Sequence, residues 1–197
     1  MSPYFLQISL WLAYGALHSV LASSTVKQFL ALKLGRSFRY YRLIYNLLAF
    51  GLLVGLWLYQ RILPTDRLWA FDWRLDILAD LLKLSGLVTV FFALKGYYLG
   101  EFVGLKTPQQ AAQTNFRSSG LLQYVRHPIY SGTILFVLGL FWEEATIRSL
   151  IMVLCVIVYI RIGIVFEEQK LVRQFEDTYL DYRRRVPMLW PNFYQSR

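Results

Sequence analysis

The chain has 197 residues, of which 56% are hydrophobic and only 17% charged, with a net charge of +9. Charge that sparse, well under the roughly 25% of a soluble domain, excludes an ordinary soluble fold and points to an integral membrane protein. The basic excess is read as the cytoplasmic bias of membrane proteins rather than as a nucleic-acid surface, so no nucleic acid is expected as a partner.

The first apolar run, Tyr4 to Ala22, approaches the roughly 20 residues that cross a bilayer as a helix. It lacks a positively charged start and a small-residue cleavage pattern, so it is read as an uncleaved span. His18 and Ser19 lie within it, and His18 is read as a hydrogen-bonded structural histidine. A polar, basic stretch follows, with Lys27, Lys33, Arg36, Arg39 and Arg42. The second span runs from Leu43 to Leu63 and stops at Pro64. Trp69, Phe71 and Trp73 in the next loop suit an interfacial aromatic belt. The third span, Asp76 to Lys95, holds Asp80 and Lys83 at a spacing that lets them neutralise each other. A long polar connection from Gly96 to Arg126 contains the unexplained Glu101. The fourth span, Pro128 to Trp142, and the fifth, Leu150 to Phe166, are shorter and are joined by a turn through Glu143, Glu144 and Arg148. They predict a tight, tilted hairpin. The tail from Glu167 onward carries Leu171, Phe175, Tyr179 and Tyr182 at helical spacing, and is expected to fold back as a lid or lie along the membrane.

These readings give an all-α, polytopic helix bundle of about five spans. It forms one integral membrane domain over residues 1–197, divided into three N-terminal spans (1–95), a cytoplasmic connection (96–127), the hairpin (128–166) and a cytoplasmic tail (167–197). Counting Lys95, Arg161 and Arg61, near the ends of their spans, with the side they border, five spans place sixteen lysines and arginines on the side of the first and third connections and the tail, against four on the other side, with Lys83 left inside the third span. That bias predicts an outside N-terminus and a cytoplasmic C-terminus.

Two antiparallel helices bring both feet of the hairpin to one side. At one foot stands Arg126-His127-Pro128-Ile129-Tyr130; at the other, Glu167-Glu168. Proline is tolerated in a helix's first turn, so the fourth helix is expected to begin at Pro128, its free N–H groups facing the same spot as Arg126 and His127. That combination suits a carboxylate or phosphate, and Tyr130 adds a hydroxyl and a flat ring. Of the paired glutamates, one can face solvent while the other faces the bundle and needs a cation or donor. The single cysteine, Cys155, sits in an apolar run and is read as inert, and two histidines make a histidine-rich metal site improbable; no metal is expected. No GxGxxG or GxxxxGK[ST] pattern occurs, so soluble-type nucleotide sites have no support.

The order Arg126-His127-Pro128-Ile129-Tyr130-Ser131-Gly132, Glu167-Glu168-x-x-Leu171-x-x-x-Phe175-x-x-x-Tyr179-x-x-Tyr182, then Arg185-Val186-Pro187 and Pro191, resembles the isoprenylcysteine carboxyl methyltransferase family. These are membrane enzymes that use S-adenosylmethionine. The resemblance covers Gly120 to Pro191; His18-Ser19 and the run Tyr182-Arg-Arg-Arg-Val-Pro-Met-Leu look closer to the methanethiol S-methyltransferase and NnrU-like branch. It implies that S-adenosylmethionine contacts His127, Pro128, Ile129 and Tyr130, the upstream Thr114, Asn115, Phe116, Arg117 and Leu122, and the first glutamate, Glu167. Arg126 or the helix start would take the carboxylate of that cofactor. Prenylcysteine enzymes carry a substrate-binding arginine four residues before the glutamate, where this chain has Gly163; Arg161 is about 200° away around the helix. A small apolar or lipophilic acceptor, preferably a thiol, is therefore expected, with membrane lipids around it and no general base identified. The rival readings are a membrane NADPH-dependent reductase of the sterol-reductase type and a non-enzymatic NnrU-like membrane factor.

Overall fold

The structure, a computed structural model, describes residues 3–64, 67–70, 72–95, 116 and 118–192. The described residues form six α-helices and no β-strand: α1 (Pro3–Ala22), α2 (Ser24–Leu34), α3 (Tyr41–Arg61), α4 (Trp73–Lys95), α5 (Pro128–Glu144) and α6 (Ile147–Arg185). Short 3-10 turns at Gly35–Tyr40 and Gly120–Gln123 precede α3 and α5. The stretch after the first span, read from its polarity alone, is thus helical: Ser23 caps α2 by accepting from the Val26 N–H.

α1, α3, α4 and α6 are long and apolar enough to cross a membrane. α5, with 17 residues, stands at the lower end of the roughly 17–25 that suffice. Large apolar side chains such as Leu12, Phe50, Leu81 and Phe91 are exposed along these helices, as a lipid-facing surface requires. The chain is a multi-pass membrane protein, a bundle with its best-covered helix, α5, against α4 and α6.

Small residues bring α4 and α5 together. Ala79, Gly86 and Ala93 recur every seven residues and are buried on α4, and Gly132 and Gly139 do the same on α5. Seven residues are two helical turns, so each set forms one stripe. The backbones touch there: a Cβ on Gly86 would lie 2.5 Å from the Gly132 carbonyl oxygen, and one on Gly139 would lie 2.7 Å from that of Ala79. Lys83, on the same helix, reaches Asp80 at 2.8 Å as its spacing predicts, and also Glu143 of α5 at 3.0 Å.

The turn between α5 and α6 is tight. Ala145 closes α5 in a left-handed conformation, and Thr146 opens α6 through a capping box with Ser149. Buried Arg148 then donates to the carbonyls of Gln60, Arg61 and Leu63, which satisfies the end of α3.

α6 is 39 residues long, and the helix does not stop where the apolar run ends at Phe166. It continues through Glu167-Glu168 to Glu176, whose φ of 45° breaks it. Beyond that break the chain turns back. In a straight helix Arg183 would be about 22 Å from Glu168; its Nε is 3.5 Å from the Glu168 carboxylate. The tail does fold over, but one helical stretch later than its charge pattern suggested. A side chain at positive φ costs on the order of 1–3 kcal/mol that glycine avoids. Glu176→Gly is therefore expected to stabilise the fold by about 1 kcal/mol and to raise the detergent-solubilised melting temperature; a lowered Tm would show that the Glu176 side chain itself holds the turn.

Candidate functional site

The N-terminus of α5 is built as its sequence predicts, with Pro128 in the first turn and His127 as the capping residue. His127 makes no side-chain hydrogen bond to that turn. The two residues before Pro128 are held from outside. The N–H groups of Arg126 and His127 donate to the carbonyls of Pro187 and Met188, at 2.9 and 3.1 Å, and the Ser131 hydroxyl donates to the Leu189 carbonyl at 2.6 Å. The segment after the folded-back helix is thereby strapped across the start of α5. Ile134 of α5 packs with Ile160 and Ile164 of α6, and Met188 and Leu189 cover them.

The two feet of the hairpin meet. Ile160, Ile164 and Glu168 follow at four-residue intervals, so Glu168 lies on the buried face of α6. Its Oε1 accepts from Arg126 Nε at 2.8 Å and faces His127 Nε2 at 3.1 Å. A carboxylate can only accept, so Nε2 carries the proton and the imidazole orientation is fixed. Both partners of the ion pair are deeply buried, with side chains 8% and 7% exposed. Burial alone would raise the pKa of Glu168; the hydrogen bond from His127 and the charge of Arg126 outweigh it and hold the carboxyl below its usual range. Arg126 is held in this hub by further bonds, because its Nη1 also donates to the carbonyls of Arg183 and Val186 at 2.9 and 2.8 Å.

Glu167 differs from its neighbour. Its side chain is 45% exposed, and it accepts a hydrogen bond from the Tyr130 hydroxyl at 2.9 Å. Its carboxylate also stands 3.8 Å from His127 Nδ1, while the His127 and Tyr130 rings stack at 5.6 Å. One carboxylate of the pair is thus a buried tie and the other is open to a ligand.

The folded-back helix encloses the rest. Phe116 packs on Phe175, Tyr179 and Tyr182 with centroids 5.4, 5.5 and 4.7 Å away, and the Tyr182 hydroxyl donates to the Leu122 carbonyl at 2.7 Å. The Tyr179 hydroxyl is buried without a partner among the described residues. Burial, reinforced by the charge of Glu168, pushes its pKa up, so it stays neutral. Of the residues expected at the site, Phe116, Leu122, Arg126, His127, Pro128, Ile129, Tyr130 and Glu167 belong to this assembly around the start of α5. Thr114, Asn115 and Arg117, and likewise Glu101, lie outside the described residues.

Glu168, Arg183 and the carbonyls of 187–189 were not singled out as site residues. For Glu168 the register with Ile160 and Ile164 was the available signal. For the strap there was none beyond the proline.

Residues 77–178, just over half of the chain, match the family model for phospholipid methyltransferases. The chain belongs to that family. Its curated relatives include methanethiol S-methyltransferase of Pseudomonas deceptionensis, 34% identical over 153 residues that make up 72% of this chain and 55% of that protein. Methanethiol S-methyltransferase 1 of Bradyrhizobium diazoefficiens is 31% identical over 186 residues, 88% of this chain and 62% of its own length. The enzyme of that name from Mycobacterium tuberculosis is 30% identical over 136 residues, 64% and 49% of the two chains. The chain spans about half the length of the curated relatives it matches. No solved structure gives a significant match.

Proposed function

We propose that this protein is a membrane methyltransferase that moves a methyl group from S-adenosylmethionine to a small apolar acceptor, a thiol. The observation that carries the reading is the open Glu167–Tyr130 pair beside the uncapped start of α5. S-adenosylmethionine bears an ammonium, a sulfonium and a carboxylate. The exposed carboxylate of Glu167 fits the cationic end, and the helix start fits the carboxylate. Arg126 is the weaker candidate for that carboxylate, because Glu168 and two carbonyls already occupy it. Phe116 and the tail aromatics supply a surface that excludes water.

When bound, this cofactor supplies an already activated methyl group. The chain's own residues then have to orient the acceptor in line and keep water out. A thiol acceptor is favoured by the names of the curated relatives and by Gly163, which stands where prenylcysteine enzymes have an arginine. The sixteen-to-four distribution of basic residues supports a cytoplasmic site and an outside N-terminus.

The test is transfer of labelled methyl from S-adenosylmethionine to methanethiol by the purified protein, with dimethyl sulfide measured in the headspace. Glu167→Gln keeps the shape and removes the charge. A charge-assisted hydrogen bond is worth about 1.5–3 kcal/mol, so the calorimetric Kd should weaken by roughly ten- to hundredfold. Unchanged affinity would remove Glu167 from the site. Binding of NADPH in place of S-adenosylmethionine would support the reductase reading, and binding of neither would support a non-enzymatic factor.

A further inference from the structure

A second polar cluster lies inside the bundle, apart from the hairpin feet. The Tyr159 hydroxyl of α6 is 2.8 Å from His18 Nδ1, and the Tyr45 hydroxyl of α3 is 2.8 Å from His18 Nε2 and 3.1 Å from Nδ1. Ser19 Oγ donates to the Tyr159 oxygen at 3.3 Å. Three helices therefore meet on one imidazole. Beside it, between α1 and α6, is a cavity of about 400 Å³ lined by Trp11, Gly15, Ser19, Cys155, Tyr159 and Ile162 among others. Its walls are apolar except for the Ser19 and Tyr159 hydroxyls and the Cys155 thiol. That is the chemistry of a pocket for a small apolar molecule with one polar, acidic group.

We propose that this cavity holds the acceptor thiol and that Tyr159 and His18 take its proton. The inference rests on the thiol-methylating reading above. A thiol must lose its proton to become a strong nucleophile, and an alkyl thiol, with a pKa of about 8.5 or above, is mostly protonated at neutral pH. Glu168 and His127 are committed to each other and to Arg126, and Glu167 is taken by Tyr130 and the cationic cofactor. Among the described residues no carboxylate pairs with His18, which sits between two phenols that can relay a proton.

A neutral imidazole has one N–H and one lone pair. With the proton on Nε2, His18 donates to the Tyr45 oxygen and accepts the Tyr159 hydroxyl at Nδ1. The Tyr159 oxygen keeps a lone pair for the S–H of the acceptor. In the step, the S–H proton passes to the Tyr159 oxygen while the Tyr159 proton passes to Nδ1, which leaves an imidazolium. The freed sulfur pair forms the new S–C bond as the methyl leaves the sulfonium, whose sulfur retains the electrons of the broken bond. The products are a thioether and the demethylated donor, and His18 afterwards releases one proton to water.

The position agrees with the donor site. Tyr159, Gly163 and Glu167 follow at four-residue intervals on α6, which keeps them near one face. The rise between Tyr159 and Glu167 is about 12 Å. A Cβ on Gly163 would meet nothing within 4 Å among the described residues, so the surface of α6 is open at that position between them.

The test uses His18→Asn and Tyr159→Phe in the full chain, with alkyl thiols and with acceptors already ionised at the assay pH, such as a thiocarboxylate. For alkyl thiols, kcat/KM should fall by about 10²–10⁴-fold, the size of a lost general base. For the ionised acceptor the loss should shrink below about tenfold, and calorimetric binding of S-adenosylmethionine should not change. The variants' rate with alkyl thiols should climb with pH as bulk thiolate forms. Ala16→Phe, which fills the cavity from α1, should raise KM for the thiol alone. Equal losses for every acceptor, or full activity in both variants, would overturn the proposal. A wild-type chain that methylates no thiol overturns both readings; one that does so while the ionised acceptor rescues nothing overturns only this one.

Discussion

Glu168→Ala will cost the fold about 3–5 kcal/mol, the usual penalty for breaking a buried ion pair from one side. The Arg126 guanidinium would be left only 8% exposed, without its carboxylate. His127 would lose the acceptor that fixes its ring, and Arg183 its contact with the hub. The strap over α5 and the folded-back helix should loosen together, because both converge on Arg126. Thermal unfolding in detergent measures this. Replacing both partners, Arg126→Met with Glu168→Met, should recover much of the stability, since a matched apolar pair leaves no buried charge. It should not recover donor binding. Equal destabilisation by the single and double variants would show that the pair matters by shape rather than by charge.

The same carboxylate sets an acid limit. Its folded-state pKa lies below the ordinary value of 4.5. Its stabilisation is therefore complete above about pH 4.5 and is lost as the pH falls through the depressed folded value. A stability profile between pH 6 and 3 should drop only at its acid end, and the drop should vanish in the double variant.

Gly86→Leu and Gly132→Leu will each separate α4 from α5. A single added methyl group already sits 2.5 or 2.6 Å from a backbone oxygen of the facing helix. Backbone cannot rotate away as a side-chain tip can, so the helices themselves must part. Overpacking of well-packed cores costs about 1–3 kcal/mol per added bulk, and a branched side chain at a backbone contact should reach or exceed the top of that range. Loss of folded protein in size-exclusion profiles is the expected result for both. Gly163→Leu on α6 is the control, since its Cβ would meet nothing within 4 Å; it should fold normally. Normal folding of the α4 and α5 variants would mean that the two helices do not touch through these glycines.

The predicted Pro128 start appears as α5 begins, and the convergence of Arg126-His127 with Glu167-Glu168 appears as a set of short contacts. Both were legible because they depend on local rules: proline in a first helical turn, and two antiparallel helices sharing an end. The division of labour within the glutamate pair was less legible. Adjacent residues on a helix differ by about 100° in direction, and a charge pattern alone does not say which one turns inward. Where α6 breaks was less legible for a related reason. Apolar character stops at Phe166, but helix formation depends on backbone bonding, which continues to the break at Glu176.

By itself, then, the amino-acid sequence determined that the chain is an all-α, multi-pass membrane bundle, because the bilayer demands long apolar helices with their backbone bonds satisfied internally. It also determined that the hairpin feet share a side. Only the tertiary structure decided that Glu168 and Arg126 tie the site shut while Glu167 stays open, that residues 187–189 strap the start of α5, and that His18 joins Tyr45 and Tyr159. Those pairings join residues 27 to 141 positions apart. Local propensity carries no information over such separations; the packing of small residues and the satisfaction of buried charge do.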